Sequence, residues 1–453
     1  MSSSWSDEIT LEIVQWFPSA SSVVQVSLTC QRWWRVIEAR YWITPCGRSF
    51  HRLSISQGAL RPRTCHTTTM HGNGMLVVYG GMPETNTIRR VNGDMCHLDV
   101  RSRTWLNPQG VATSLPPALS EHSACLHEAS DTLIIFGGYE ADRGRQNSTY
   151  LVHNASSITT RTELVEVDPT QSVPTQRSAH SAVLVQDTDT MYVFGGWERV
   201  VPKNDLWTFH LPSKSWQCLC QGDDTTKGPS PRRAHVSFYL SGILWVFSGC
   251  GRDNAHNDIL SDTSRAHGWA CLDDHGVMGW RAVPCLGDRP CPRSRARGDV
   301  SHGQYYLLGG WDLSAYFNDL YEARTVTQDD FITSLLWRRI DCCNIPHGIV
   351  QHTVLAWRGL LFVVGGYKSR LISTQCGIQA LSMEEVAFAQ DTGEDSQEEW
   401  PDEEHGLWDG IGSSTTDSEE EVDTTGWVTG EVEVYPISRV VRSLPSIGIG
   451  KAK

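Results

Sequence analysis

Apolar and aromatic runs that end in two glycines recur along this chain. The runs read LVVYGG, LIIFGG, MYVFGG, YYLLGG and LFVVGG, and a degenerate copy reads LWVFSG. Successive copies end 57, 58, 53, 61 and 56 residues apart, at Gly81, Gly138, Gly196, Gly249, Gly310 and Gly366. A fixed period of this length predicts six repeats, each of them one supersecondary unit.

Each repeat contains three further segments that have the pattern of short strands. A polar head, such as RPRTCH or TQRSAH, begins a strand upstream of the glycines, and a third segment, such as NDLWTFHL, follows them. A fourth segment usually carries a tryptophan, namely Trp105, Trp216, Trp280 or Trp337. Four short strands joined by polar turns are typical of a propeller blade, whose two faces are covered by its neighbours.

The repeat resembles the kelch motif. The resemblance lies in the glycine pair, the downstream tryptophan and the aromatic residue after the glycines, which is Tyr139, Trp197, Trp311 or Tyr367. It covers residues 50–382 approximately and implies a six-bladed β-propeller. The glycines are expected where the second strand ends close to its neighbours, because a side chain there would clash or the backbone needs a positive φ.

The sixth repeat lacks a fourth strand. Its three strand-like segments are Gln351–Trp357, Leu360–Gly366 and Gly377–Ser382, after which the chain becomes acidic. Upstream of the first repeat, Phe50 stands 13 residues before Arg63, the same spacing as between Trp280 and Arg293. We therefore predict that an N-terminal strand at about 50–56 closes the last blade and leaves no open edge.

The first forty-five residues have a helical period instead. Ser6 is a capping residue, Asp7 and Glu8 lie at the positive end of the predicted helix dipole, and Pro18 ends the helix. One face of this helix is apolar and consists of Ile9, Ile13, Trp16 and Phe17. So short a module cannot bury all of its apolar surface, which is then available to a partner. The alternative is that the module is a helical cap packed on the propeller.

This N-terminal module resembles an F-box. It matches that motif at Asp7, Glu8, Ile9, Ile13, Pro18, Val26, Ser27, Leu28, Cys30, Arg32 and Trp33, and it has Trp5-Ser6 where the family has Leu-Pro. The resemblance implies binding to the Skp adaptor and, through it, to a cullin-RING ubiquitin ligase. The implied adaptor-binding residues are Ile9, Ile13, Phe17, Pro18, Val24, Leu28 and Trp33.

Charge divides the chain into a body and a tail. The net charge is −14, yet residues 371–438 contain 18 acidic residues and neither lysine nor arginine, which leaves +4 for the remainder. Residues 386–428 are predicted to be an acidic disordered segment. Two hypotheses for it are phosphorylation and folding back on basic propeller loops in competition with a substrate. Residues 429–453 include the strand-like GEVEVYPISRVV, whose place in the fold the sequence does not indicate.

No catalytic, metal or cofactor motif is recognisable in the sequence. There is no HExxH, CxxC, GxSxG or P-loop, and the 14 scattered cysteines are expected to be reduced thiols. No run of 18 apolar residues and no secretory signal occurs, so we expect a cytoplasmic or nuclear protein that has neither membrane nor nucleic-acid partners.

One rim of the propeller is predicted to bind a protein substrate. The loops after the glycine pairs and the segments around the head arginines share this rim, and arginine with aromatic residues is favoured interface chemistry. The predicted contact residues are Arg63, Tyr139, Arg177, Trp197, Arg199, Arg232, Arg252, Arg293, Trp311 and Tyr367. Their charge favours an acidic or phosphorylated partner. In the alternative, the arginines pair locally with Asp205, Asp258 or Asp319 and the aromatics pack between blades.

The sequence therefore predicts a mainly β fold: a six-bladed kelch β-propeller with a small N-terminal all-α F-box module and an acidic disordered tail. The predicted domains are 1–45, 46–385, 386–428 and 429–453. The predicted function is that of a non-catalytic substrate-recognition subunit of an SCF-type ubiquitin ligase. Alternatives are a kelch scaffold that acts outside a ligase and, least favoured, a propeller metalloenzyme.

Overall fold

The structure is a computed structural model, and it describes residues 51–83, 91–106, 115–222, 228–251, 267–274, 277–312, 316–328, 331–340, 347–369, 372–374, 377–379, 426–428 and 432–436. The F-box-like module lies outside these residues, as do all seven of its predicted adaptor contacts. The described residues form strands and one 3-10 turn, Gln186–Thr188. Within this part of the chain, no helix is long and apolar enough to cross a membrane.

The strands form four four-stranded sheets, one eight-stranded sheet and three smaller ones. The first strand of the chain is β1 (His51–Arg52). The first repeat forms a sheet of β2 (Thr67–Met70), β3 (Met75–Tyr79), β4 (Met95–Asp99) and β5 (Thr104–Trp105). The second repeat contains β6 (Ser123–His127), β7 (Thr132–Phe136), the separate hairpin β8 (Tyr139–Glu140) and β9 (Gly144–Arg145), β10 (Thr149–His153) and β11 (Arg161–Leu164).

The third repeat forms a sheet of β12 (Ser181–Val185), β13 (Thr190–Glu198), β14 (Val201–His210) and β15 (Ser215–Cys220). The fourth and fifth repeats share the eight-stranded sheet, in which a parallel pairing of β19 with β23 joins two antiparallel meanders. Its strands are β16 (Val236–Leu240), β17 (Ile243–Phe247), β18 (His267–Asp274), β19 (Val277–Gly287), β20 (Arg297–Ser301), β21 (Gln304–Leu308), β22 (Leu320–Gln328) and β23 (Phe331–Ile340).

The sixth repeat draws its sheets from distant parts of the chain. Its strands are β24 (Gly348–Val350), β25 (Thr353–Trp357), β26 (Leu360–Val364), β27 (Tyr367–Ser369), β28 (Ile372–Thr374), β29 (Gly377–Gln379), β30 (Gly426–Val428) and β31 (Val432–Pro436). The order in its four-stranded sheet is β1-β31-β26-β25, while β24-β27-β30 and β28-β29 form two small sheets.

The sheets pack in a propeller-like arrangement. The first strand of each meander contacts the first strand of the next, from β2 through β6, β12, β16, β20 and β25 and back to β2. Second strands such as β7, β17 and β26 are buried along their whole length because sheets cover both of their faces. The apolar cores lie between sheets. In one of them, Phe136 of the second repeat packs with Val193 and Trp207 of the third.

The last sheet differs from the prediction at its third strand. We expected Gly377–Ser382 there, but Gly377–Gln379 pairs with Ile372–Thr374 instead, and Val432–Pro436 pairs with β26 on one side and β1 on the other. The reason is the alternating pattern of the C-terminal strand, which places Val432, 3% exposed, in the same apolar cluster as Leu53 and Phe362.

The predicted boundary of the disordered segment is also wrong. Gly426–Val428 lies inside the range 386–428, but it forms β30 and pairs with Tyr367–Ser369. The strand-like C-terminal segment that had no place in the sequence analysis therefore begins to join the propeller at Gly426.

The glycine pairs have a positive φ and also lie too close to neighbouring atoms for a side chain, the two reasons predicted for them. Gly195 and Gly196 have φ values of 60° and 101°, which a residue with a Cβ rarely adopts. A Cβ on Gly196 would lie 2.7 Å from the Cβ of His180, and one on Gly195 would lie 2.9 Å from the carbonyl oxygen of Arg232 in the next repeat. The second strand thus ends so close to a neighbouring backbone that a residue with a side chain would clash there.

A ring of residues with positive φ joins the repeats. The ring residues are Cys65, Glu121, Ala179, Ala234, Arg295 and Gln351, with φ between 51° and 56°. The backbone N–H of Glu121 donates to Cys65, that of Ala179 to Glu121, that of Ala234 to Ala179 and that of Arg295 to Ala234, at 2.8–3.0 Å. The N–H of Cys65 donates to the carbonyl of Gln351 at 3.2 Å, which links the first repeat to the last.

Cysteine chemistry departs from the expectation at one position. Seven of the described cysteines are free: Cys65, Cys96, Cys125, Cys218, Cys220, Cys250 and Cys285. Cys291 is disulfide-bonded, so the expectation that all cysteines are reduced thiols is wrong there.

Candidate functional site

The head arginines are buried, not displayed on the rim. Arg177 is 0% exposed. Its Nη1 and Nη2 donate to the two carboxylate oxygens of Asp205 at 2.8 Å, and Nη1 also donates to the carbonyl of Gly195 at 3.0 Å. The arginine therefore ties its head to the second and third strands of the same sheet.

The same arrangement recurs in the first and fifth repeats. Arg63 donates to Asp94 and to the carbonyl of Gly80, and Arg293 donates to Asp319 and to the carbonyl of Gly309. Arg232, 6% exposed, donates to the carbonyl of Ser248 in the fourth repeat. Local pairing, the alternative considered from the sequence, thus holds for Asp205 and Asp319, and we correct the prediction that Arg63, Arg177, Arg232 and Arg293 contact a partner.

The predicted aromatic contacts are largely covered as well. Trp197 is 6% exposed, and the guanidinium of Arg233 lies 4.0 Å from its ring centroid. Tyr139 is 8% exposed, so neither residue offers a free face. Trp311 and Tyr367 remain half-buried, both packed against Tyr316, with ring centroids 6.2 and 5.6 Å away.

One predicted contact residue is exposed to solvent. Arg199 is exposed at the tip of the hairpin between β13 and β14, where its φ is 48°. The next two residues, Val200 and Val201, are 70% and 41% exposed. The sequence analysis missed these valines because an apolar residue in a strand is normally expected to be buried. Arg252 lies outside the described residues.

Buried histidines form links between successive repeats. Each accepts or donates a hydrogen bond through Nε2 with a hydroxyl that belongs to the preceding repeat. The pairs are His122 with Thr67 at 2.8 Å, His180 with Ser123 at 2.9 Å, His235 with Ser181 at 2.6 Å and His66 with Thr353 at 3.2 Å. These side chains hold the ring together.

The fifth repeat breaks this pattern twice. Its head reads CPRSRARG, and Ala296 takes the position over Gly310 that a histidine takes over the corresponding glycine in the other repeats. The next residue is Arg297. At this position four of the other repeats have serine or threonine, and the fourth repeat has valine. As a result His352, which is 0% exposed, has no hydrogen-bond partner for either ring nitrogen among the described residues.

These exceptions shape a cavity at the ring. A small cavity of about 30 Å³ lies between the ring residues and the residues that follow them, including Glu121, Arg295 and Arg297. In the sequence, Arg295 and Arg297 follow the head arginine Arg293 of the same repeat by two and four residues. The sequence signal that distinguishes this repeat is that it lacks both the head histidine and the hydroxyl residue after it.

We expect the protein to lose stability in mild acid. Burial lowers the pKa of His122, His235 and His352 from 6.5 to about 3 and lowers that of His66 and His180 well below 6.5. The unfolded chain takes up these protons near pH 6.5 and the native protein does not, so stability falls as the pH falls from 6.5 towards 3. The loss is about 1.4 kcal/mol per pH unit for each histidine.

Denaturant midpoints measured at several pH values between neutrality and mild acid test this expectation. Asp299 opposes the trend, since burial raises its pKa to about 6 and it takes up a proton in the native state. The variant His180→Gln should show a shallower dependence on pH. A midpoint that does not change with pH would contradict the neutral, buried state of the histidines.

The described part of the chain shows no group of three or more histidine, cysteine, aspartate or glutamate residues placed to hold a metal ion. The chemistry it offers at the ring is the binding of charged and polar groups.

Comparison with known proteins assigns the repeats to a family. The chain matches the KLHDC2/KLHL20/DRC7 Kelch-repeats domain over residues 65–263 and 156–366, which together span more than half of its 453 residues. It is 24% identical over 318 residues to the Leucine-zipper-like transcriptional regulator 1 homolog of Drosophila melanogaster, covering 67% of this chain and 29% of that protein.

A second relative is Kelch domain-containing protein 3 of Homo sapiens, 27% identical over 257 residues, which are 54% of this chain and 60% of that protein. A third is Multiple epidermal growth factor-like domains protein 8 of Mus musculus, 26% identical over 258 residues, 55% of this chain and 9% of that protein. The chain spans less than two thirds of the length of each of these relatives. The repeated glycine pairs, the propeller-like sheets and the family match agree, and the chain belongs to the kelch-repeat family.

Proposed function

We propose that this protein is the substrate-recognition subunit of an SCF-type ubiquitin ligase, in which residues 1–45 bind the Skp adaptor and the propeller binds a target protein. The observation that carries the proposal is the strand His51–Arg52, which is paired into the last sheet. The F-box-like module ends six residues before this strand, so the two binding parts are joined by a very short connection.

We infer that the propeller has six blades. The eight-stranded sheet counts as two blades, since each half is an antiparallel meander that belongs to its own repeat. The six ring residues and the cycle of first strands support the same number. A closed ring of this kind is a rigid platform, which lowers the entropy cost of presenting loops to a partner.

The face at the ring is the one that supports partner binding best. Arg199 and Val200 are exposed at its edge, Trp311 and Tyr367 are half-buried beside it, and the cavity opens among Arg295 and its neighbours. Arginine and aromatic side chains favour an acidic or phosphorylated protein. The protein itself would be non-catalytic, would need no cofactor and would act in the cytoplasm or the nucleus.

A kelch scaffold that acts outside a ligase is the second candidate. It is supported by the family match, which covers residues 65–366 and does not extend into the F-box-like module. Both candidates use the propeller for protein–protein interaction and differ in what residues 1–45 bind.

Capture of purified Skp adaptor by the full chain separates the two candidates. We expect the wild-type chain to retain the adaptor and the variant with Ile13→Asp and Leu28→Asp to lose it, because a few buried apolar side chains, each contributing about 1.5–3 kcal/mol, carry such an interface. The control is Arg199→Glu, which should bind the adaptor normally. No capture by the wild-type chain would reject the ligase proposal and favour the scaffold.

A further inference from the structure

Two arginines at the central cavity have no carboxylate paired with them. Arg295 is 8% exposed, and its guanidinium lies 6.0 Å from the ring centroid of Trp311. Arg297 donates from Nη1 to the carbonyl of Ala296 at 2.9 Å. Among the residues that the structure describes, neither forms an ion pair, whereas Arg63, Arg177 and Arg293 each have an aspartate. A guanidinium has five donors, so most of those on Arg297 remain available.

The cavity has an excess of positive charge. Its carboxylate is that of Glu121, three repeats away around the ring from Arg295, and this carboxylate already accepts a hydrogen bond from Ser178 at 3.0 Å. Burial lowers the pKa of the Arg297 guanidinium; Cys65, Tyr305 and Glu121 partly offset this effect, and Arg295 adds to it. Two neighbouring cations, one buried at Arg295 and one half-buried at Arg297, are stabilised by an oxyanion that accepts charge-assisted hydrogen bonds from both.

An acidic stretch of the same chain begins and ends beside this cavity. Tyr367 pairs with Val350, the neighbour of the ring residue Gln351, and Gln351 also lines the cavity. Two residues further on, Ser369 pairs with Gly426. The chain therefore leaves the ring at residue 369 and returns to it at residue 426, in the repeat next to the one that supplies Arg295 and Arg297.

The composition between these two points complements the cavity. Residues 371–425 contain 16 acidic residues and neither lysine nor arginine. The densest part is DTGEDSQEEWPDEE, residues 391–404, in which eight of the 14 residues are acidic. It lies 22 residues from each anchor, a length of chain that can span up to about 70 Å. Distance thus places no restriction on contact between this stretch and the cavity.

We propose that Arg295 and Arg297 form an oxyanion site in the central cavity and that a carboxylate side chain of residues 391–404 of the same chain occupies it. The proposal does not depend on the ligase role, because it concerns the propeller and its own acidic stretch. An acidic partner that used this site would compete with the protein's own chain, at an effective concentration of about a millimolar.

A labelled peptide with the sequence of residues 391–404 tests the proposal by fluorescence anisotropy. The proteins compared are the full chain and a variant that lacks residues 384–423 but keeps both anchoring strands. We expect the deletion variant to bind the peptide about tenfold more tightly than the full chain, because its site is vacant. Equal binding to the two proteins would overturn the proposal. It would mean either that a free anion such as phosphate fills the site or that the site does not bind acidic groups.

Substitutions locate the binding. In the deletion variant, Arg295→Gln and Arg297→Gln should each weaken peptide binding about tenfold, whereas the matched control Arg199→Gln should leave it unchanged. A peptide with amides in place of its eight acids should not bind. If Arg297→Gln does not fold, a full chain with the same eight acids changed to amides provides the test without altering the propeller, and it should bind the acidic peptide as tightly as the deletion variant. Unaltered binding by both arginine variants, or weak binding by the amide chain, would refute the assignment. None of these measurements involves the Skp adaptor, so the outcome is separate from that of the ligase test.

Discussion

A chain truncated after Thr425 is expected not to fold cooperatively. The truncation removes Gly426–Val428 and Val432–Pro436, and the second of these strands lies between β26 and β1 in the last sheet. Without it, β26 loses its backbone partner on one side, β1 has no strand to pair with, and the ring is left with open edges. The buried side chain of Val432 also leaves a core cluster that contains Leu53 and Phe362.

Thermal unfolding followed by circular dichroism measures this effect. The matched control is the internal deletion of residues 384–423, which removes 40 residues against 28 for the truncation but keeps both strands, and it should melt close to the wild-type temperature. A truncated chain with a wild-type melting temperature would show that β31 is dispensable and that the last sheet is closed in another way.

Replacing Arg177 by methionine should lower the free energy of unfolding by about 3–5 kcal/mol, because the carboxylate of Asp205 is then left buried without its cation. Asp205 is 4% exposed and keeps one other donor, the indole Nε1 of Trp207 at 2.7 Å. The carbonyl of Gly195 loses a hydrogen bond as well. Urea denaturation provides the measurement.

Arg199→Met is the control for the Arg177 prediction, since that arginine is exposed on the same sheet and its loss should change the unfolding free energy by about 0.5 kcal/mol or less. The double variant Arg177→Met with Asp205→Asn should be less destabilised than the sum of the single variants. If Arg177→Met unfolded like the control, the ion pair would contribute little. A reversal of charge at Arg177 would accordingly report on folding and not on a binding surface.

The repeated residues and the exceptional ones have different roles in this propeller. The glycine pair, the head arginine and the head histidine recur because each repeat must solve the same packing problem, and the structure buries all three. Arg295 and Arg297 occur where one repeat departs from that pattern, and the exposed tip at Arg199 and Val200 is a local feature of another. Candidate contacts with a partner are therefore found where the repeats differ.

The repeat and much of the fold follow from the local sequence alone. Period, glycine pairs and alternating segments follow from local sterics and from the burial of both faces of a strand, which each repeat encodes within about fifty residues. For the same reason the positions of Gly195 and Gly196, and of the buried second strands, could be predicted from the sequence.

Long-range packing determines which third strand completes the last sheet and which arginines lie apart from carboxylates. Val432–Pro436 pairs with β26 across some seventy residues, and a pairing at that distance depends on which strand best fills the core against Leu53, which no local pattern specifies. Arg177 is a head arginine, and Arg295 follows the head arginine of its own repeat by two residues. Asp205 lies 28 residues beyond Arg177 and meets it because the third strand returns beside the head, whereas Arg295 projects from the ring into the cavity, where no aspartate of its sheet reaches it.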